Sequence, residues 1–217
     1  MRFKTLEKGG KVRGTYYFYI GLFSVILFSG FSFSLSFLDF KNLIQGYAKN
    51  SGVRMDFEKK TYLKLLHKTK TSKGEIFLSK GSILLKIEDP LKTKIIFDGK
   101  HLWYITSPAG EKKQVLEWDI QTSLKNKSLL SFLFHPHLLF QNFRVVHSRP
   151  KGRTWIFQFE PIHNNSEIQS FSVKVDGKRI LTAWIKWKNL GNEEKYTFSN
   201  IQFNQKIPLK YFQVSKK

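Results

Sequence analysis

The chain has 217 residues, a length that suits one domain and a short leader, and its net charge is +21. It contains no cysteine, which excludes disulfides, thiol chemistry and the lipid-modified cysteine that follows the leader of a bacterial lipoprotein. Aromatic residues are frequent, with 21 Phe, 8 Tyr and 5 Trp, so the apolar bulk exceeds what the core of a small barrel requires.

The first 36 residues have the pattern of an export signal. Basic residues precede a charge-free run from Thr15 to Leu38, small residues alternate toward the end of this run, and cleavage is expected after Ser34 or Ser36. An uncleaved anchor is the alternative, because a run of this length can span a bilayer. Without the leader the chain keeps 32 bases and 15 acids, and this charge of +17 attracts anionic surfaces. Export and the even spread of the lysines argue against nucleic acid as the partner.

Residues 37–217 are predicted to form one domain in which strands dominate. Apolar side chains recur every three or four residues over Leu35–Asn50 and predict a helix. Alternation then predicts about eleven or twelve short strands in two meanders, with hairpin turns at Asp98-Gly99 and Asp176-Gly177. Such spacing is typical of a barrel or a wrapped sheet. The sequence thus predicts a mainly β (α+β) fold, an incomplete antiparallel β-barrel of about eleven strands.

A second helix is predicted over Leu124–Phe134, between the two meanders. His135-Pro136-His137 is expected to end it, and Tyr211–Val214 is predicted to be a last edge strand. The two histidines have a spacing that zinc ligands use, but no third ligand stands nearby, so the end of a helix is the preferred interpretation. Both helices are apolar enough to bury a face, and a lid over a hydrophobic cavity of an open barrel would bury it.

The apolar excess has two explanations. Strands such as Ile83–Leu85 and Trp155–Phe157 carry large side chains on both faces, and an ordinary core accounts for any one of them. The functional alternative is a cavity that holds acyl chains, since each buried methylene contributes about 0.8 kcal/mol. The residues predicted to line this cavity come from helices and strands: Phe40, Leu43, Phe57, Phe77, Trp103, Leu129, Leu130, Leu133, Phe134, Trp155 and Phe157.

No residues are arranged for catalysis or for a cofactor. The acids are scattered singly, apart from the adjacent pairs Glu88-Asp89 and Glu193-Glu194, which fall at strand ends where acids are usually solvated. The chain has no glycine-rich phosphate loop and no nucleophile elbow. We therefore expect a protein that is not an enzyme and that needs neither a cofactor nor a metal.

Several segments, by their motifs and their order along the chain, resemble the LolA family of periplasmic outer-membrane lipoprotein carriers. Phe57-Glu58-Lys59 is similar to an early strand motif of the family, and Lys73–Lys80 to a later strand. Phe97–Tyr104 resembles its Asp-Gly-Lys-x-Leu-Trp hairpin, and Ser128–Phe134 occupies the place of a lid helix. The resemblance runs from about Leu35 to the C terminus.

The resemblance implies an unclosed barrel whose helical lid covers a hydrophobic cavity. It also implies a monomeric periplasmic carrier of a Gram-negative bacterium. Such a carrier takes lipid-modified proteins from an inner-membrane transporter and delivers them to an outer-membrane receptor without covalent catalysis. An alternative of a different class is an envelope-anchored structural or sensory module on the same scaffold that binds protein partners.

Two positions depart from the family pattern. Lys59 stands where the family often has Gln. The strand-end Arg that helps to hold the lid shut in the family corresponds to Lys80, followed by Gly81 in place of Pro. Lysine keeps the positive charge but lacks the planar fork that bonds several carbonyls at once. The resemblance therefore makes Lys80 the candidate for holding the lid.

Overall fold

A computed structural model describes residues 37–107, 114–119 and 136–214. These ranges contain eleven strands, two α-helices and two short 3₁₀ turns. The helices are α1 (Phe37–Lys49) and α2 (Pro136–Asn142), and the 3₁₀ turns are Lys64–Leu66 and Leu209–Phe212. The strands are β1 (Val53–Leu63), β2 (Lys68–Ser79), β3 (Ser82–Asp89), β4 (Thr93–Phe97), β5 (His101–Thr106), β6 (Gln114–Asp119), β7 (Phe143–Lys151), β8 (Thr154–Pro161), β9 (Ile168–Val175), β10 (Ile180–Trp187) and β11 (Glu193–Phe203).

The eleven strands form one antiparallel sheet that does not close. Their order is β6-β5-β4-β3-β2-β1-β11-β10-β9-β8-β7, so two meanders meet where β1 pairs with β11. Strands β6 and β7 are the two edges, and no ladder joins them in the described part of the chain. This arrangement confirms the predicted incomplete barrel and its count of about eleven strands.

Two aspartates build the hairpin turns that the sequence indicated. The carboxylate of Asp98 accepts hydrogen bonds of 2.8 Å from the backbone N–H groups of Lys100 and His101. Asp176 accepts in the same way from the N–H of Arg179, also at 2.8 Å. A glycine follows each aspartate and adopts a positive φ, a conformation that costs a residue without a Cβ little. Local chemistry alone therefore sets the register of these two hairpins.

The described helices and the C-terminal segment agree only in part with the sequence-based prediction. Helix α1 falls inside the predicted range. Pro136 was expected to end a helix, but it begins α2, because proline fits the first turn, where its missing N–H is not needed. The predicted edge strand at Tyr211–Val214 is wrong, since this segment contains part of a 3₁₀ turn. The leader and the predicted helix at Leu124–Phe134 lie outside the described residues.

The sheet buries apolar side chains on both faces. Helix α1 packs on one face, which we call the inner face, and the larger core cluster forms there. A smaller cluster covers part of the opposite, outer face, where the C-terminal segment contributes Phe212. Its buried members are Leu84, Ile96, Trp103, Ile105 and Phe212.

Candidate ligand-binding face

Helix α1 closes one half of the inner face. The ring of Phe40 lies 4.6 Å from that of Phe157 and 5.3 Å from that of Phe159, measured between centroids, and all three side chains are fully buried. The hydroxyl of Tyr47 accepts a hydrogen bond of 3.1 Å from the backbone N–H of Ile180. Burial raises the pKa of Tyr47 to about 12. The β8–β9 half of the inner face is therefore a dry, fixed core.

The other half of the inner face becomes progressively exposed toward the β6 edge. A row of side chains, which we call the inner row, crosses four strands: Leu85 pairs with Ile95, Ile95 with Tyr104, and Tyr104 with Leu116. Leu85 is buried, Ile95 and Tyr104 are partly buried, and Leu116 is 54% exposed. The sheet thus presents a continuous apolar strip whose last member is half open to solvent.

A polar group stands at one end of the inner face, on β1 and β11. The ammonium of Lys59 lies 3.5 Å from the carboxylate of Glu194 and 5.8 Å from the centre of the Tyr196 ring. The Tyr196 hydroxyl donates to the same carboxylate over 3.2 Å. Burial, with a smaller contribution from the negative charge of Glu194, raises the pKa of Tyr196 well above its usual value.

This polar group corrects one sequence-based interpretation. Glu194 was expected to be solvated at a strand end, yet its side chain is only 17% exposed. Its partner Lys59 is 135 residues away in the chain, so no local pattern pointed to the pair. Lys59, which departs from the family pattern, is therefore neutralised by a partner and does not place an isolated charge on the apolar face.

The structure brings together five of the residues predicted to line a cavity. Phe40, Phe57 and Phe157 are buried in the core cluster of the inner face, and Leu43 and Trp155 are partly buried against it. Leu129, Leu130, Leu133 and Phe134 lie outside the described residues, and their assignment stays a prediction. The inner row, by contrast, was not singled out from the sequence, because Ile95 and Tyr104 stand in strands that carry large side chains on both faces.

Phe77 and Trp103 were assigned to the same cavity, and the structure corrects this. Both lie on the outer face, where Trp103 is buried beside Ile96 and Phe77 stacks edge-on against Tyr211 at 5.5 Å. Their strands carry large apolar side chains on both faces, so alternation gave no preference for either side. The buried indole N–H of Trp103 has no hydrogen-bond partner among the described residues.

Lys80 occupies the two-residue turn between β2 and β3. Its φ is 48° and that of Gly81 is 83°, so both residues are left-handed, as in a type I′ hairpin. The side chain is exposed and makes no hydrogen bond or ion pair with any other described residue. The role of Lys80 in holding a lid stays a prediction.

Within residues 37–107, 114–119 and 136–214, no three histidines, aspartates or glutamates stand close enough to hold a metal ion. His137 is exposed on α2, and His135 lies outside the described ranges. None of the described helices has the length and apolar character that crossing a bilayer requires.

Sequence comparison places this architecture in a family. Residues 48–215 match the family model described as outer membrane lipoprotein carrier protein LolA. The chain belongs to the LolA family. No curated protein matches the chain in sequence.

Solved structures align with this LolA-family chain at low identity. An uncharacterised conserved protein from Thermus thermophilus aligns with a TM-score of 0.50 and 5% identity, over 82% of this chain and 94% of that one. A LolA superfamily protein from Nitrosomonas europaea aligns with a TM-score of 0.44 and 11% identity, over 80% and 97% of the two chains. MucB of Pseudomonas aeruginosa, solved with MucA, aligns with a TM-score of 0.44 and 15% identity, over 82% of this chain and 60% of that one.

Proposed function

We propose that this LolA-family protein is a periplasmic carrier in a Gram-negative bacterium. It binds the acyl chains of lipoproteins released from the inner membrane and delivers them to the outer membrane. A transporter in the inner membrane supplies the cargo in this proposal, and a receptor at the outer membrane accepts it.

The observation that carries the proposal is the inner row. Leu85, Ile95, Tyr104 and Leu116 form an apolar strip that runs from the buried core to a half-exposed edge. An acyl chain laid along such a strip would remove both its own methylenes and the exposed leucine from water. The fixed core under α1 supports the strip from the side, so the strip needs little reordering to receive a ligand.

The same strip explains how a carrier could release its cargo. Apolar contact has no directional bonds, and the ion pair described on the inner face, Lys59 with Glu194, is already satisfied internally together with Tyr196. Cargo held in this way leaves when a more apolar or better fitted acceptor is offered. We propose accordingly that the protein makes no covalent intermediate and is not an enzyme.

Leu116→Asp tests the proposal, and its neighbour provides a matched control. Leu116 and Val115 are adjacent on β6 and similarly exposed, at 54% and 44%, but they point to opposite faces. We expect Leu116→Asp to weaken binding of a fluorescent fatty acid or a lipopeptide by about tenfold or more, because a charge replaces an apolar contact. Val115→Asp should leave that binding within about twofold of the parent.

The outcomes separate the carrier from its alternative. Equal loss in both variants, or no binding of either probe at micromolar concentration, would contradict the carrier proposal. Mass spectrometry of material that copurifies with the parent protein adds an independent measurement. Bound acyl lipid or lipoprotein supports the carrier, whereas a stoichiometric protein partner without lipid would favour the partner-binding module.

A further inference from the structure

The hairpin of β1 and β2 extends beyond its neighbour β3 at one end of the sheet. The β2–β3 ladder ends where Lys73 pairs with Asp89, whereas β2 begins five residues earlier, at Lys68. At about 3.3 Å per residue, this length carries the hairpin roughly 17 Å past β3. On the other side, β11 accompanies β1 as far as the pair Tyr62 and Glu193. The hairpin end is therefore a projection supported along one side only.

Three exposed leucines mark this projection, and we call them the leucine tip: Leu65 and Leu66 in the 3₁₀ turn, and Leu190 in the turn between β10 and β11. They are 69%, 62% and 61% exposed. The two turns adjoin, because the backbone N–H of Lys64 donates a hydrogen bond of 3.0 Å to the side-chain oxygen of Asn192. Leu65 and Leu190 line the same shallow groove.

Lysines surround the leucine tip. The segment from Lys59 to Lys73 contains six lysines and no acid. On the adjoining hairpin, Lys186 and Lys188 line the groove together with Lys64. The tip is thus an apolar point with a strongly basic rim.

The acids near this hairpin do not neutralise the rim. Glu58 pairs with Lys60 and Lys73, further back along the hairpin. Glu194 is engaged with Lys59, and Glu193 and Glu167 are both partly buried at the neighbouring strand ends. Among the described residues, the rim lysines at positions 64, 68, 70, 186 and 188 form no ion pair.

We propose that the leucine tip docks on the surface of an anionic lipid bilayer. Exposed leucines ringed by lysines complement a surface that is apolar beneath and negative at the level of the head groups. Leu65, Leu66 and Leu190 enter the interfacial layer, and the lysines contact the phosphates while their stems lie along the acyl boundary. This docking goes beyond the acyl-chain binding proposed above and does not depend on it.

The absence of cysteine allows a single fluorescent reporter in the full chain. Thr69→Cys places an environment-sensitive label close to the tip, and Ser51→Cys places one before the start of β1, at the opposite end of that strand. We expect the label at position 69 to brighten and shift to the blue with phosphatidylglycerol vesicles. With phosphatidylcholine vesicles, the same response should require a lipid concentration at least about tenfold higher. The reason is that each lysine near an anionic surface strengthens binding about fivefold. The label at position 51 should not respond.

Leu65→Ser combined with Leu66→Ser tests the role of the leucines. We expect this double variant, labelled at position 69, to need about tenfold more phosphatidylglycerol for the same response. Leu209→Ser is the matched control, since Leu209 is also in a 3₁₀ turn and is 63% exposed, but belongs to the C-terminal segment. It should leave the response unchanged.

Three results would overturn the docking proposal. One is an equal response at positions 51 and 69, which would indicate adsorption by another part of the chain, such as the apolar leader. Another is an unchanged response in the double variant. The last is no response to either lipid, which would leave a protein partner as the occupant of the tip. Fatty-acid binding measured on the same double variant reports separately on the carrier function and is expected to be unchanged.

Discussion

At the scale of single residues, the turn between β2 and β3 contains a lysine in a conformation that lysine disfavours. Lys80 has a φ of 48° and precedes Gly81, which has a φ of 83°. A left-handed residue with a Cβ costs roughly 1–2 kcal/mol, and Asn tolerates this conformation better than Lys. A residue kept at such a position despite its cost is a candidate for a role other than stability.

We therefore predict that Lys80→Asn raises the free energy of unfolding by about 0.5–1 kcal/mol, measured by urea denaturation. Lys80→Ala, which removes the same charge but lacks the short side-chain amide that lets Asn adopt a left-handed φ, should give no such gain. Retention of a bound fatty-acid probe should fall in both variants if the ammonium holds the lid. Unchanged retention in both would exclude that role and leave Lys80 as a turn residue only.

At the scale of the elements, helix α1 contacts the inner face of the sheet through only one side of its surface. Phe40, Ile44 and Tyr47 are buried on the inner face, while Leu38 on the same helix is 62% exposed. The helix has 13 residues, which is too short to be stable alone in water, so its order depends on this contact.

Phe40→Ala should lower the free energy of unfolding by about 3–5 kcal/mol, because it leaves a cavity between α1 and the rings on β8. Leu38→Ala, on the exposed side, should change it by less than about 0.5 kcal/mol. Chemical denaturation followed by tryptophan fluorescence measures both. Similar effects of the two substitutions would mean that α1 is not fixed on the sheet as described.

At the scale of the whole molecule, stability should decrease in alkaline solution. Burial raises the pKa of Tyr47 from 10.0 to about 12, and it raises the pKa of Tyr196 as well. The folded state therefore holds these protons more tightly than the unfolded state. The contribution of the two protonated tyrosines to the free energy of unfolding is complete below pH 10 and is lost as the pH rises toward 12.

We predict that the free energy of unfolding falls by about 2 kcal/mol between pH 10 and pH 12 from Tyr47 alone. Tyr47→Phe removes this titration and should flatten the pH dependence, although it lowers stability at every pH by leaving the N–H of Ile180 unpaired. Urea titrations at several pH values measure the slope. A slope that Tyr47→Phe does not change would contradict the assignment.

The fold was predictable because the turn and helix signals lie within short segments of the sequence. The ligand-binding face was less predictable because the contacts that define it join residues distant in the chain. Asp98 and Asp176 define their hairpins within four residues, and the apolar spacing of α1 lies within one segment. The outer face occupied by Trp103 is covered by Phe212 from the C-terminal segment, and the partner of Glu194 lies on a strand distant in the chain. Large apolar residues on both sides of a strand remove the alternation that would otherwise assign a face.

The open topology also has a mechanical consequence. The ladder between β1 and β11 joins the two meanders. No ladder in the described residues links the edge strands β6 and β7. The gap between these edges can therefore widen by extra twist in the strands, with every backbone hydrogen bond of the sheet intact. Under the proposed carrier function, such widening would let one protein accommodate cargo with different numbers of acyl chains at little enthalpic cost.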